Sequence, residues 1–311
     1  MRALITGVSG FVGHHLVVHL ESLGDDVTGC DRADGTLDVL DPASVRAAID
    51  RARPEVVYHL AGWSDVGASW AAPMDVFRVN AEGTLNVLDA CRAAGVERVL
   101  SVSSADVYGI VTPDDLPIDE EAPVRPVSPY AASKVAADFL GLQAWLGHGL
   151  AVLRVRAFNH IGPGQTTRFV APAIAERIAR NERDGGGTVP VGDLSPERDF
   201  TDVRDVVRAY RALVEHGEPG EAYNVCSGRS VAIGELAQHM LTRATRPMTL
   251  VEDPALRRPV DVPVLRGDSS KLTAATGWHP TIELDSTLDD LLDEARSHLA
   301  GATRPQPPAV T

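Results

Sequence analysis

Arg2-Ala3-Leu4-Ile5-Thr6-Gly7-Val8-Ser9-Gly10-Phe11-Val12-Gly13 opens the chain and runs into His14-His15-Leu16-Val17-Val18-His19-Leu20. Residues 2–6 are a short apolar run suited to a buried parallel strand, and a helical pattern follows Gly13. Glycines between them permit a tight turn, close approach of backbone to a pyrophosphate, and close packing of helix on strand. The helix N-terminus then offers N–H groups and the positive end of its dipole to phosphates. Gly7, Gly10, Phe11, Val12 and Gly13 are therefore candidate dinucleotide contacts. The spacing is Gly-x-x-Gly-x-x-Gly, a partial match to the G-x-G-x-x-G fingerprint, and a glycine turn without a ligand is the alternative.

The next strand candidate, Asp26-Val27-Thr28-Gly29-Cys30, ends at Asp31, about where an acidic residue bonds the adenosine ribose hydroxyls. A carboxylate there favours NAD, because a 2′-phosphate would meet like charge. Arg32 beside it can offset that repulsion, so NADP stays open. In Leu37-Asp38-Val39 the acid can sit near the adenine amino group, and a solvated loop acid reads equally well.

Working outward, apolar strands alternate with helical stretches up to about residue 160. Val56–Leu60, Val99–Ser103 and Ala151–Val155 read as strands, while Asp75–Ala94 and Tyr130–Leu146 carry helical periodicity. Such alternation implies a doubly wound parallel sheet, covered on both faces, with ligands at the carboxyl ends of its strands. Gly7, Asp31, Leu60, Ser104 and Asn159 all fall just after strand ends, which points to one cleft. Past residue 162 the texture changes: Gly162-Pro163-Gly164, Gly185-Gly186-Gly187 and Pro-rich segments near 254–263 punctuate shorter elements. The expected organisation is a nucleotide-binding domain over 1–160, a smaller lobe over 161–300, and a disordered tail over 301–311. Strands at Val203–Val207 or Ala222–Val225 are expected to cross back into the larger lobe.

Ser128-Pro129-Tyr130-Ala131-Ala132-Ser133-Lys134 carries the chemistry. Ser caps a helix and Pro fits its first turn. Residues four apart share a helical face, so phenol and ammonium lie side by side. Bringing a tyrosine from pH ~10 to about 7 takes roughly 4 kcal/mol of bias toward the phenolate. A neighbouring cation is the expected source, giving a proton donor or acceptor that works near neutral pH.

Composition narrows the field. The 311 residues allow one large or two modest domains with an ample core. Lys and Arg number 29 against 43 Asp and Glu, a formal net charge of −14 with no basic run. Nucleic acid and anionic membrane are therefore poor partners. No run approaches the ~20 apolar residues of a membrane span. Gly7 and Gly10 interrupt the N-terminal stretch too early for a signal peptide. Cys30, Cys91 and Cys226 are too scattered for a disulfide framework, so a cytoplasmic location is expected. The ten histidines show no metal-ligand spacing, and no metal is assigned.

The Gly-x-x-Gly-x-x-Gly loop, His59-Leu60-Ala61-Gly62, Ser103-Ser104-Ala105-Asp106-Val107-Tyr108-Gly109 and Pro129-Tyr130-x-x-x-Lys134 occur in a familiar order. Together they resemble the extended short-chain dehydrogenase/reductases, the NAD-dependent epimerase/dehydratase family acting on nucleotide sugars, over residues 1–295. The resemblance implies a Rossmann-type α/β fold with a smaller C-terminal substrate lobe. It implies cofactor contacts at Leu60, Ala61 and Gly62, with Lys134 also on the nicotinamide ribose. Ser104, Tyr130 and Lys134 become the catalytic set, Ser104 holding the carbonyl oxygen while Tyr130 delivers the proton. Family members are commonly homodimers through two helices of the large lobe. The run 75–94 and the Tyr130 helix fit, although their apolar faces read equally as core.

Dehydratases of the family carry Thr-Asp-Glu or Thr-Ser-Glu where this chain has Ser104-Ala105-Asp106. Ala105 transfers no proton, and Asp106 is one methylene shorter than Glu. Misplacing a reactive group by about 1 Å can cost ~100-fold, so dehydration is disfavoured. Asp106 is left to contact the sugar or organise the pocket. Arg156-Ala157-Phe158-Asn159-His160-Ile161-Gly162-Pro163-Gly164-Gln165 with Phe169-Val170 looks like the GDP-4-keto-6-deoxy-D-mannose reductases. Arg198-Asp199-Phe200-Thr201-Asp202-Val203 and Tyr223-Asn224-Val225-Cys226-Ser227-Gly228 extend the likeness. By that likeness Asn159 holds the diphosphate sugar, Phe169 and Val170 border the base, and Arg198 neutralises the diphosphate. Arg258 contacts phosphate or ribose, with Asp261 on the ribose; a surface ion pair is the alternative for each arginine. The expected reaction is NAD(P)H-dependent reduction of a nucleotide-linked 4-keto-6-deoxyhexose, giving GDP-D-rhamnose. The alternatives are a 4-epimerase or a ketoreductase using a UDP or dTDP sugar, and a non-catalytic nucleotide-sugar sensor.

Overall fold

The computed structural model describes residues 1–256 and 262–301. Arg258, Asp261 and the tail beyond Gly301 lie outside the described residues.

Strands β1 (Arg2–Thr6), β2 (Asp26–Cys30), β3 (Val56–His59), β4 (Arg98–Val102) and β5 (Val152–Ala157) come first. The chain then forms β6 (Asn159–Ile161), β7 (Thr188–Val191) and β8 (Glu197–Asp202) before β9 (Ala222–Val225). After it come β10 (Ser230–Ala232), β11 (Thr249–Glu252) and β12 (Val264–Leu265). A six-stranded sheet of order β2-β1-β3-β4-β5-β9 results, every neighbouring pair parallel.

Successive side chains on a strand point to opposite faces, and here both faces are covered. Ile5, Tyr58, Leu100 and Leu153 pack on one side with Leu16 and Leu20 of helix Phe11–Ser22 and Val206, Tyr210 and Leu213 of helix Val203–His216. Leu4, Val57, Val99 and Val152 pack on the other with Ile49 of helix Pro42–Ala52 and Val87 and Leu88 of helix Gly83–Ala94. Each such fully buried side chain stabilises by about 1.5–3 kcal/mol, which explains why apolar residues dominate these strands. This is the Rossmann-type doubly wound sheet.

A separate hydrophobic core lies past residue 160, built from Ile161, Ile174, Ile178, Phe200, Leu236, Met240, Leu288 and Leu291. There β8 is flanked by antiparallel β10 and parallel β12, β6 also pairs with β8, and β7 pairs with β11. Of the two segments expected to return to the large sheet as strands, Ala222–Val225 does so. Val203–Val207 is instead the start of a helix. Asp202 caps it, its carboxylate accepting from the Arg204 amide at 2.8 Å, and Val203, Val206, Val207, Tyr210 and Val214 form a buried stripe at helical spacing.

The expected continuous helix 75–94 also differs. Helix Pro73–Phe77 passes through a π-helical turn at Arg78–Glu82 before helix Gly83–Ala94. Within that turn the buried Asn80 accepts from the Trp63 amide at 2.7 Å and donates to the Ser133 hydroxyl at 2.8 Å. Those contacts tie the segment to the loop after β3 and to the helix carrying Tyr130.

Candidate active site

A cleft of about 740 Å³ runs along the carboxyl ends of the parallel strands. Its first wall is the loop after β1. Gly7 has φ +77, and a Cβ there would lie 2.8 Å from the Ala61 nitrogen. At Gly13 a Cβ would lie 2.5 Å from the Val8 carbonyl oxygen, so only hydrogen lets the helix start this close to the strand. Gly10 differs: a Cβ would meet nothing within 4 Å except the Gly7 oxygen at 3.1 Å. No side chain caps the helix that Gly10 precedes. Gly10, Phe11, Val12 and Gly13 line the cleft, so this helix end, open above and lacking a side-chain cap, fits a pyrophosphate.

Asp31 and Arg32, at the end of β2, also face the cleft. The Asp31 carboxylate accepts from Ser9 N at 3.1 Å and Ala33 N at 3.0 Å. Burial pushes its pKa up, but these amide hydrogens outweigh that and hold it below the usual carboxylate value. Asp38 and Val39 line the adjoining edge, where one Asp38 oxygen accepts from Leu40 N at 2.9 Å.

Leu60, Ala61 and Gly62 follow β3 into the cleft, pinned from below by His59. Its ring nitrogens meet Thr6 Oγ1 at 2.8 Å and Thr84 Oγ1 at 3.0 Å, and Thr6 Oγ1 accepts from Ala61 N at 3.2 Å. Burial first, and the Lys134 charge second, push His59 down to about 3, so the ring is neutral.

Ser104, Asp106, Tyr130 and Lys134 meet in the cleft beyond. Ser128 caps the helix Pro129–His148 as expected, accepting from Ala131 N at 3.1 Å. Tyr130 and Lys134 share its inner face, at 7% and 8% exposure, so neither is a surface pairing. One expectation is overturned. Lys134 Nζ donates to the Val102 carbonyl at 2.9 Å, and the Tyr130 phenol lies above its ordinary pKa, not below. Burial is the largest cause and the Asp106 charge adds to it, while a hydrogen bond with Ser104 pulls the other way. Burial also lowers Lys134, to about 8. The Tyr130 phenol is therefore neutral.

The opposite wall comes from the second core. Asn159 opens β6, and Phe169 and Val170 stand at the start of helix Val170–Asp184, which no side chain caps. Arg198 on β8 lines the cleft while donating from Nη1 to the Glu197 carbonyl at 2.7 Å. Its neighbour Asp199 is wholly buried and accepts from the Ser227, Gly228 and Gly267 amides, locking three segments behind that wall.

Several cleft residues escaped the sequence reading: Trp63, His160, Gln165 and Tyr210. His160 stacks on Phe11 at 6.1 Å and 11°, and Gln165 donates to the His160 carbonyl at 3.1 Å, joining the second core to the glycine loop. An Asn at 80 inside a helical pattern was a usable signal of the π turn, since Asn is a poor helix former.

Residues 3–226 match the model of the NAD dependent epimerase/dehydratase family. The chain is similar to GDP-6-deoxy-D-mannose reductase of Pseudomonas aeruginosa, with 39% identity over 96% of this chain and 98% of that protein. Its structure is similar to that of RMD from Pseudomonas aeruginosa complexed with NADPH, with TM-score 0.88, 38% identity, and coverage of 96% of this chain and 100% of that one. It is also similar to UDP-glucose 4-epimerase of Thermus thermophilus complexed with NAD, with TM-score 0.85, 30% identity, and coverage of 95% and 99%. Parallel sheet, glycine loop and Tyr-Lys helix thus agree with sequence kinship, and the chain belongs to the NAD dependent epimerase/dehydratase family.

Proposed function

We propose that this protein reduces the 4-ketone of a nucleotide-linked 4-keto-6-deoxyhexose, converting GDP-4-keto-6-deoxy-D-mannose to GDP-D-rhamnose. The observation that carries the reading is the meeting of Ser104, Tyr130 and Lys134 in the cleft into which the glycine loop also opens. Kinship to the Pseudomonas reductase supports the guanosine sugar. Ala105, with no proton to give, argues against dehydration. A bound nicotinamide supplies hydride to C4. The Ser104 hydroxyl donates to the ketone oxygen and the Tyr130 phenol gives it a proton as charge develops there. Lys134 holds the nicotinamide ribose. Asn159 and Arg198 hold the diphosphate, helped by the dipole of the helix starting at Val170, and Phe169 and Val170 border the base. In this reading residues 1–160 carry the cofactor and 161–300 close over the sugar nucleotide.

Purified protein supplied separately with GDP- and dTDP-4-keto-6-deoxyhexoses should oxidise NAD(P)H mole for mole only with the former, with the reduced sugar nucleotide seen by mass spectrometry. An epimerase would consume no net cofactor and would purify with NAD bound, and a sensor would bind without turnover. Equal rates with both nucleotides would remove the guanosine assignment.

The Asp31 carboxylate favours NADH, since a 2′-phosphate meets like charge and such juxtapositions cost several kcal/mol. With Arg32 offsetting part of that, kcat/KM for NADH should exceed that for NADPH by about tenfold, and Asp31→Ser should narrow the gap. A wild-type preference for NADPH would show that Arg32 prevails.

Phe77 and Leu85 on the segment 73–94, with Phe139 and Leu146 on helix Pro129–His148, are exposed apolar side chains. They support a homodimer through these two helices. Among the described residues no helix is long and apolar enough to cross a membrane. The scattered cysteines Cys30, Cys91 and Cys226, all free and buried, support a cytoplasmic location.

A further inference from the structure

His160 is the middle residue of β6, and strand alternation turns it to the face opposite Asn159 and Ile161. Ile161 joins the second core, while the His160 ring lies on Phe11, the first residue of the helix after the glycine loop. The Phe11 ring also meets His15 edge-on, at 5.5 Å and 84°, and His15 Nε2 donates to the Pro163 carbonyl at 2.8 Å. Gln165 holds the His160 backbone by donating to its carbonyl. The imidazole is thus clamped where the glycine loop meets the second core.

One contact decides its tautomer. His160 Nδ1 lies 3.0 Å from the Phe158 carbonyl oxygen, which only accepts, so Nδ1 carries the hydrogen. In the neutral ring Nε2 is then a bare acceptor, with no partner among the described residues. Burial lowers the pKa of the ring and so keeps a second proton off. His160 lines the cleft, which gains one fixed acceptor at this point of its wall. We propose that His160 Nε2 accepts a hydrogen bond from the carboxamide amino group of the bound nicotinamide, so that β6 anchors the reacting end of the cofactor. The inference rests on the placement of nicotinamide beside Lys134 and not on the identity of the sugar.

A dinucleotide offers few donors, and the cleft sorts them. Its pyrophosphate has none, and its oxygens would be repelled by a bare nitrogen. Its adenine amine goes to the edge lined by Asp38, and its ribose hydroxyls go to Asp31 and Lys134. The carboxamide amino group remains. Sugar hydroxyls also donate, but the sugar nucleotide is held from Asn159, on the other face of β6. Phe11 and the Phe158 carbonyl already lock the imidazole, so little freedom is lost when it takes a ligand. A carboxamide held here restrains rotation of the nicotinamide about its glycosidic bond and keeps one ring face toward the sugar.

The test compares equilibrium binding of three probes by calorimetry. They are NAD, its 3-acetylpyridine analogue, in which a methyl replaces the carboxamide amino group, and ADP-ribose, which has no nicotinamide. The wild type should bind NAD about tenfold more tightly than the analogue, the size of one net hydrogen bond. His160→Phe keeps a ring on Phe11 and removes the acceptor, so that ratio should fall to about one with ADP-ribose affinity unchanged. His160→Gln, which restores an acceptor, should recover most of the discrimination. An unaltered ratio in His160→Phe would overturn the proposal. A parallel loss of all three ligands in both variants would overturn it too, placing His160 on the pyrophosphate or in the fold. Failure of the wild type to bind either dinucleotide would remove the cofactor reading and this inference with it.

Discussion

Tyr130→Phe is expected to lower kcat by about three orders of magnitude while leaving NADH affinity unchanged, within the 10²–10⁴ that a positioned general acid supplies. The substitution removes one oxygen from a side chain that is 7% exposed. The ring remains, so the cleft keeps its shape and the helix Pro129–His148 keeps its packing. What disappears is the proton that neutralises the developing alkoxide, and water in its place is neither oriented nor held. Steady-state NADH oxidation gives kcat, and quenching of intrinsic fluorescence by NADH gives cofactor affinity. Turnover within tenfold of wild type would remove Tyr130 from its role. A matching loss of cofactor affinity would indicate a structural part for the phenol instead.

Much of this arrangement was legible in the chain. Apolar strands read correctly because parallel strands buried on both faces favour apolar residues, as at Leu4-Ile5 and Val57-Tyr58. The Ser128-Pro129 helix start is set by local chemistry, so it too was visible. Val203–Val207 misled because β-branched residues suit strands, and the Asp202 cap that decides for helix acts only once Arg204 N is in place. The electrostatics of Tyr130 were not legible. Spacing of four put Lys134 on the same face, but spacing does not reveal that the Val102 carbonyl captures the ammonium. Nor does it reveal that burial, acting on both groups, favours the neutral phenol. The far wall was the least visible part, because its residues come from β6, β8 and a helix start whose meeting depends on two packed cores.

Asp138→Ala should destabilise the protein by about 3–5 kcal/mol, the cost of leaving buried charge unpaired. One Asp138 oxygen accepts from Arg154 Nη1 at 2.9 Å and from Arg156 Nη2 at 3.0 Å, with side chains 1%, 9% and 5% exposed. Arg156 further donates to Tyr108 Oη at 3.0 Å and the Glu120 carbonyl at 2.9 Å, and Arg154 Nε donates to the Gly220 carbonyl at 3.0 Å. Those acceptors are neutral, so without Asp138 the two buried guanidinium groups lose the carboxylate bonded to both, and Glu221 still acts on Arg154 only through space. Burial alone would oppose the Arg156 charge; Asp138 and Tyr108 hold it strongly protonated. The expected fall in Tm is roughly 6–10 °C by calorimetry. Glu82→Ala, which breaks the exposed pair with Arg78, should leave Tm in place, because solvent already screens it. Asp138 lies two helical turns beyond Tyr130 on the same helix and ties it to β5, beside which Asn159 enters the cleft. Loosening that tie should therefore lower kcat as well as stability. Converting the trio together, with Asp138→Leu, Arg154→Met and Arg156→Met, should recover much of the lost Tm, since an apolar replacement leaves no orphaned charge. An unchanged Tm in Asp138→Ala would mean that the neutral acceptors suffice, and that this trio is not what anchors the tyrosine helix to the sheet.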